Sequence, residues 1–397
     1  MKIAIFGGSF NPIHLSHIEI AKSVLEFYDK VVFIPAYISP FKTEDISRFE
    51  ASPLDRLNMV HLAVKDEPSF EVEPFEILKE KPSFTIDTVK YIYKKHPKID
   101  GKLGLIMGSD SLNSITKWKD YDELENLCTF IVAKRENEKI EKTSFSYKLL
   151  DKPIKPISST IIREKIKKNE EWGSLVSSPV GYYIRKNGLY SLDLENIEVL
   201  IKEISSYAKT FLSEKRFLHV VGAAEMAEKL ARSYLNLLVF PRLAYLAGIA
   251  HDITKEESDF WQEKTIKQAD EILDEIEKTN LRIAHGKTAS IVLQKQFGIR
   301  NKSLLDAIRY HTFTHPNLDN LGKILYIADK IEMGRKGVED IRQMIGTSSI
   351  DEIMCILLEN GKKSLSKKGL APHPFAVELL KKLKTTIQSL NEEDSKT

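Results

Sequence analysis

His14 and His17 stand three residues apart, a spacing that puts both imidazoles on one face of a helix start. They close the stretch Gly7-Gly8-Ser9-Phe10-Asn11-Pro12-Ile13-His14-Leu15-Ser16-His17, which follows the apolar run Ile3–Phe6 and precedes the amphipathic run Ile18–Tyr28. A glycine-bearing turn between strand and helix is the layout of a phosphate cradle, because backbone N–H groups and the helix dipole both attract anions. The two histidines can then donate to one phosphate chain. A second cluster, Ser158, Ser159, Thr160 and Arg163, places hydroxyls where a helix starts and a guanidinium one turn beyond Thr160. Arginine suits bidentate contact with phosphate oxygens. No general base stands out. A nucleophile that is itself a phosphate is already ionised near neutral pH and needs only alignment and charge stabilisation. His14, His17 and Arg163, with Mg²⁺, would supply both, and that chemistry is nucleotidyl transfer. Neither GxGxxG nor GxxxxGK[ST] occurs, so the cradle is neither a classical dinucleotide fingerprint nor a P-loop.

A third set lies further along: His219, the pair His251-Asp252, His285, His311 and Asp329. The pair follows Leu246-Ala247-Gly248-Ile249-Ala250, a run that would bury it. A buried histidine and aspartate need compensation, and a metal provides it. Imidazole and carboxylate ligands suit iron, manganese or zinc. Any one of these histidines alone is more often a core or surface residue; the ordered set carries the reading. His315, followed by Pro316, reads as loop structure, and His61, His96 and His373 as structural residues. Among isolated cations, Lys42, Lys134 and Arg135 follow strands and are placed for phosphate contact, while Lys255, Arg309 and Arg335 accompany the histidine set as candidate phosphate contacts.

These residues need elements to hold them. Up to residue 190, strands (Ile3–Phe6, Val31–Pro35, Leu103–Met107, Phe130–Ala133) alternate with helices (Pro53–Val64, Ile86–Lys95, and one through Lys168). That alternation implies a mostly parallel α/β sheet, with both phosphate clusters at its carboxyl edge. In the helix 53–64, Asp55, Arg56 and His61 are expected on or near the polar side. Residues 191–197 read as a short polar linker. From 198 to 387 helical periodicity dominates, as in 218–230, 243–249, 304–310 and 324–331, which implies an all-α domain. Residues 388–397 form a polar tail, expected to fray from Asn391 on.

The 397 residues suffice for two or three domains, each with its own core. A composition of 42% hydrophobic and 29% charged residues argues against disorder, and a net charge of +2 gives no general attraction to nucleic acid or membrane. Cys128 and Cys355 are far apart and outside any CxxC, which points to a reducing compartment. No leader pattern and no run of about 20 apolar residues is present. The expectation is a soluble cytoplasmic protein without nucleic-acid or membrane partners, with a homo-oligomer left open.

The joint pattern GGSFNPIHLSH and ISSTIIR resembles the nucleotidylyltransferase superfamily over residues 1–190, with Ser16 where that superfamily usually has glycine. Serine is the next smallest polar residue, so tolerance is expected. Ser83-Phe84-Thr85-Ile86-Asp87-Thr88, Gly108-Ser109-Asp110-Ser111-Leu112, Trp118, Ile34-Pro35-Ala36 with Phe41-Lys42, and the closing Tyr183–Tyr190 run look like the bacterial nicotinate-nucleotide adenylyltransferases. The resemblance implies a Rossmann-like domain that binds ATP through Gly7, Gly8, Ser9, Phe10, Ser158, Ser159 and Thr160. It implies nicotinate mononucleotide contacts from Lys42, Thr85, Gly108, Asp110, Trp118 and Arg135. In that family the tryptophan stacks on the pyridine ring, and threonine and backbone N–H groups receive the carboxylate.

The ordered set H…HD…H…H…D resembles the HD-domain phosphohydrolases. Arg216–Gly222, His251–Lys255, His285-Gly286, Asp306–Thr312 and Tyr326–Glu332 look like the HD-type symmetrical diadenosine-tetraphosphatases over residues 198–387. That resemblance implies an all-α HD domain cleaving diadenosine tetraphosphate to two ADP with iron. The first histidine, the HD pair and the last aspartate would hold one ion, and the two middle histidines a second. Alternatives stay open. The first half could adenylylate phosphopantetheine or nicotinamide mononucleotide. The second could attack another nucleotide, or bind nucleotide or RNA without turnover.

Overall fold

Six parallel strands in the order β3-β2-β1-β4-β5-β6 carry the first of two units, Met1–Lys186. They are β1 (Ile3–Gly8), β2 (Lys30–Pro35), β3 (Phe70–Val72), β4 (Leu103–Gly108), β5 (Cys128–Ala133) and β6 (Tyr147–Leu149). The structure is a computed structural model; it describes residues 1–38, 49–133, 145–150 and 157–394, with Asp110 and residues 390–394 described by backbone alone. The central strands are continuous apolar runs because both faces are covered: Ile3, Ile5, Val32, Ile34, Leu103, Leu105, Phe130 and Val132 share one core cluster with Ile86, Val89 and Ile92. The covering helices are α1 (Leu15–Val24), α2 (Pro53–Val64), α3 (Phe75–Leu78), α4 (Thr85–Lys95), α5 (Ser109–Ser114), α6 (Tyr121–Leu127), α7 (Ser159–Lys167) and α8 (Ser178–Asn187).

The strand order reverses between β1 and β4. Phe6 pairs with Ile106, so Gly7-Gly8 and Gly108 leave the sheet at the same level, in the crevice where open α/β sheets bind ligands. The parallel α/β sheet is as the alternation implied. Two three-residue strands, β3 and β6, were not anticipated; they lie at the two sheet edges and are too short to show a period. Helix α1 spans Leu15–Val24 rather than 18–28, because the chain turns after Val24. Arg56 is not on a polar face: it is buried and binds the carbonyl oxygens of Ser9, Ala36 and Tyr37.

The second unit, Asn187–Thr397, has no β-strand among its described residues. Its helices are α9 (Ile197–Phe211), α10 (Glu214–Ser233), α11 (Pro241–Ala250), α12 (Asp259–Gln268), α13 (Glu275–Thr279), α14 (His285–Phe297), α15 (Lys302–Tyr310), α16 (Asn320–Ile331), α17 (Glu339–Gln343), α18 (Ile350–Lys367) and α19 (Pro374–Asp394). Residues 187–190 pack within this unit, where a Cβ at Gly188 would fall 1.8 Å from the Arg300 carbonyl oxygen. In the 191–197 segment Leu194 and Ile197 are buried. The expected loose tail is helical up to Asp394.

Close approach of helix backbones sets this core. A Cβ at Gly248 on α11 would lie 2.3 Å from Ala224 Cα on α10, and one at Gly286 on α14 would lie 2.7 Å from the Ile308 and Arg309 carbonyl oxygens of α15. Glycine at these points lets α10, α11, α14 and α15 bring their ends together. No described helix is long and apolar enough to cross a membrane.

Candidate active sites

In the first unit the turn after β1 is shaped by Phe10, whose φ of 46° is left-handed and whose ring meets Phe6 and His17 edge-on. His14 is the N-cap of α1 and His17 is its third residue. Their rings stack at 3.6 Å and 22°. The His14 backbone N–H donates to His17 Nδ1 at 3.2 Å, which assigns the ring proton of His17 to Nε2 and leaves it as a donor. Ser16, at the position the superfamily gives to glycine, is buried in α1.

The second cluster reaches the same turn. Ser158 caps α7 by accepting from the Ile161 N–H, Ser159 donates to the Pro12 carbonyl at 2.9 Å, and Arg163 donates to the Asn11 carbonyl at 2.9 Å. Thr160 is exposed one turn before Arg163, whose Nη2 lies 3.4 Å from its hydroxyl. Arg163 and Lys167 both pair with Glu50, at 3.0 Å each. Glu50 was missed by sequence reasoning: nothing marks a single glutamate in an otherwise ordinary segment.

A cleft of about 590 Å³ opens from this turn. Of the expected nucleotide contacts, Gly7, Gly8, Ser9, Thr85, Gly108 and Trp118 line it, whereas Phe10, Ser158, Ser159 and Thr160 are not among its lining residues. Trp118 also packs on the sheet core. Glu76 of α3 lines the cleft too and was not anticipated. Lys42, Lys134, Arg135 and the side chain of Asp110 lie outside the described residues.

In the second unit three histidines are held alike. Nδ1 of His251, His285 and His311 lies 2.7 Å from the carbonyl oxygen three residues earlier, of Gly248, Arg282 and Ile308 respectively. A carbonyl only accepts, so each Nδ1 carries the hydrogen and each Nε2 keeps its lone pair. His219 Nδ1 faces Glu332 Oε1 at 3.3 Å, a partner of the kind that fixes metal-binding imidazoles.

The Nε2 atoms converge on two carboxyl groups. Asp252 Oδ1 lies 2.9 Å from His285 Nε2 and 3.4 Å from His311 Nε2, which are 3.0 Å from each other. Asp252 Oδ2 lies 3.6 Å from His251 Nε2 and 3.7 Å from His219 Nε2, and Asp329 Oδ1 lies 3.1 Å from His219 Nε2. Two ligand groups result, His219-His251-Asp329 and His251-Asp252-His311, each with its atoms within 4.8 Å of one another. Among the described residues, His219 Nε2, His251 Nε2 and Asp252 Oδ1 are buried and receive no hydrogen bond. Lone pairs and carboxylate oxygens crowded this closely repel unless a cation lies among them, so the donor set fits a metal.

Charge states agree. Burial lowers His251 to about 4 and also pulls His285 and His311 down, so the imidazoles are neutral. Burial disfavours ionised Asp252 and Asp329, yet both lie well below the usual carboxylate range, Asp329 because the Lys330 ammonium stands beside it. Neutral imidazole and ionised carboxylate are the ligating forms.

Cations rim the cluster. Lys255 Nζ lies 3.1 Å from His285 Nε2, and burial lowers its ammonium. Arg335 donates to Asp329 Oδ1 at 2.8 Å. Arg309, expected to meet phosphate, is instead turned onto Glu271, which engages both terminal nitrogens. Arg216 donates to Asp252 Oδ2 at 2.9 Å and Lys330 binds Asp329; neither was singled out, though Arg216 sits one turn before His219 and Lys330 directly follows Asp329. The Thr312 hydroxyl, also missed, is 3.3 Å from both His285 and His311 Nε2. His373 is structural as expected, buried against Phe313 and bonded to Asp274.

Comparison with known proteins places these two sites in a family. Residues 5–165 match the cytidylyltransferase-like family model and residues 216–334 the HD-domain model. A protein of Mycoplasma genitalium named "Probable nicotinate-nucleotide adenylyltransferase/Ap4A hydrolase" is 32% identical over 370 residues, covering 91% of this chain and 95% of that protein. A "Probable nicotinate-nucleotide adenylyltransferase" of Treponema pallidum is 37% identical over 205 residues, 48% of this chain and 99% of that one. A crystal structure described as a predicted HD superfamily hydrolase involved in NAD metabolism, from Clostridium acetobutylicum, is 29% identical with a TM-score of 0.44, over 47% of this chain and 97% of that one. The chain belongs to the nicotinate-nucleotide adenylyltransferase/Ap4A hydrolase family, in which a nucleotidyltransferase domain and an HD domain share one polypeptide.

Proposed function

We propose that the first unit transfers AMP from ATP to nicotinate mononucleotide, giving deamido-NAD and pyrophosphate, and that the second hydrolyses diadenosine tetraphosphate to two ADP at a metal centre. The observation supporting the first is the pair of bonds from Ser159 and Arg163 to the Pro12 and Asn11 carbonyls, which bring both phosphate signatures to one turn. The acceptor's phosphate oxygen forms the new bond to the α-phosphorus of ATP as the bond to the β-phosphate oxygen breaks. His14, His17 and Arg163 direct N–H groups at the oxygens that gain charge, with Ser158, Ser159, Thr160 and the Gly7–Phe10 backbone seating the nucleotide. Thr85, the start of α4 and Gly108 receive the nicotinate carboxylate, and Trp118 offers its face to the cationic ring. Lys42, Asp110 and Arg135 complete this contact set. Mg²⁺ bound with ATP would supply charge neutralisation for the pyrophosphate leaving group.

For the second unit the supporting observation is the convergence of four imidazoles on Asp252 and Asp329. His219, His251, Asp252 and Asp329 would hold one ion, iron in preference to manganese or zinc, and His285, His311 and Asp252 a second. The metal supplies electrophilic activation of a phosphoryl group and acidifies water. Asp252 orients both ligand groups, and Lys255, Arg216 and Arg335 neutralise the polyphosphate.

The test is to purify the chain with its native metal and assay both reactions side by side. Pyrophosphate release with nicotinate mononucleotide, ahead of nicotinamide mononucleotide and phosphopantetheine, is expected, together with ADP as sole product from diadenosine tetraphosphate. Preference for another acceptor, or no hydrolysis by metal-loaded protein, would overturn the corresponding half.

A further inference from the structure

Glu76 sits in the transferase cleft with no role in the scheme above. It is buried at 9% exposure on α3, and its Oε1 accepts from Thr88 at 2.6 Å. Thr88 is on α4, one turn after Thr85, and Glu76, Ser83, Thr85, Thr88 and Trp118 all line the same cavity. Helix α4 starts there with Phe84 as N-cap, a residue that offers no capping oxygen. Its first N–H groups therefore lack a side-chain cap where Ser83, Phe84 and Thr85 line the cavity, and among the described residues the buried Ser83 hydroxyl has no hydrogen-bond partner. This end of the cleft is built to receive an anion.

A carboxyl group beside an anion subsite controls it by its own charge. We propose that Glu76, held by Thr88, is a specificity-determining residue: as the neutral acid it admits the carboxylate of the acceptor ring, and as the carboxylate it repels it. The proposal rests on the nicotinate reading above. A neutral carboxyl can donate its O–H to the incoming carboxylate, whereas an ionised one sets two negative charges in a site of low dielectric. The amide of nicotinamide mononucleotide carries no such charge and is indifferent to the switch. The setting supports titration near neutrality: burial raises Glu76 to about 7, against the Thr88 hydrogen bond and Lys79, and with Asp87 adding to the rise. Lys117 and Lys119 also line the cavity and favour either anion, acceptor or Glu76.

The experiment is calorimetric titration of the full chain with nicotinate mononucleotide and with nicotinamide mononucleotide between pH 6 and 8.5, for wild type and Glu76→Gln. The ligand's own phosphate titrates alike in both proteins, so the ratio of wild-type to variant Kd isolates Glu76. That ratio should rise about tenfold across the range for the nicotinate ligand and stay flat for the nicotinamide one. Thr88→Val, which removes the hydroxyl that favours the carboxylate, should move the inflection to higher pH and carries the test if Glu76→Gln does not fold. A flat ratio for nicotinate mononucleotide, an equal rise for both ligands, or an unmoved inflection in Thr88→Val would overturn the proposal. Tight, pH-independent binding of nicotinate mononucleotide sinks this inference alone; failure of wild type to bind it at any pH sinks the acceptor reading as well.

Discussion

Arg163 donates a hydrogen bond to the carbonyl oxygen of Asn11 at 2.9 Å, across 152 positions of sequence. One guanidinium nitrogen is thus spent on the turn that carries His14, leaving the group fixed rather than swinging. Arg163→Ala should lower adenylyl-transfer kcat by about 10²–10³-fold, the cost of removing one preorganised charge-stabilising donor. Arg163→Lys should recover little, since a point charge cannot hold Asn11 and phosphate at once. Steady-state kinetics with pyrophosphate detection checks both.

Glu50 bonds Arg163 and Lys167 from a buried position. Glu50→Gln should reduce stability by about 1–3 kcal/mol, as a buried acceptor site loses its charge. It should raise KM for ATP more than it lowers kcat, because the two cations lose their anchor but not their charge. Thermal melts and ATP titrations separate the two effects.

One oxygen of Asp252 lies beside Nε2 of His285 and His311 and the other beside Nε2 of His219 and His251. Asp252→Asn should therefore deplete metal from both proposed ion sites, while His285→Ala should deplete only the second. Hydrolysis should fall to background in Asp252→Asn with adenylyl transfer unchanged. Metal analysis by mass spectrometry beside the two assays reads this out.

Gly286→Ala should destabilise the second unit by about 2 kcal/mol or more, since its Cβ would meet two carbonyl oxygens of α15 at 2.7 Å. The same shift displaces His311, whose Nδ1 is 3.1 Å from that position, so hydrolysis should fall further than stability alone accounts for. Denaturant melts and activity at a temperature well below the transition distinguish the contributions.

Stability against pH follows from Glu76. Its pKa is raised to about 7 from the usual 4.5, so the folded chain binds more protons than the unfolded chain between those values. Stability should fall as pH rises through that window and level off above it, by about 3 kcal/mol at most. Melts of Glu76→Gln should lack this component, and the difference from wild type across pH 4.5–8 measures it.

The legible parts of this molecule were those with a period or a fixed spacing. β1, β2, β4 and β5 are apolar runs long enough to announce themselves, and α10, α11, α15 and α16 carry sustained helical patterns. The His/Asp set was legible because every member lies in or beside such a pattern. What stayed hidden were single charged residues whose importance lies in a partner far along the chain. Arg56 is expected on the polar side of its helix yet is drawn inward by three carbonyl oxygens. Glu76 and Glu332 are ordinary glutamates until Thr88 and His219 appear beside them. Arg309 misled for the same reason: its place two residues before His311 suggested the site, and Glu271, 38 positions away, claims it.

Three imidazoles of the second unit are braced by carbonyls only three residues upstream. Each strut is thus prefabricated within a single turn of its own chain, and its aim needs no help from distant parts of the fold. Long-range packing has only to space the struts. Errors in that packing should make the centre too wide or too narrow while every ring still points inward, so the size of ion it accepts should drift before its capacity to ligate is lost.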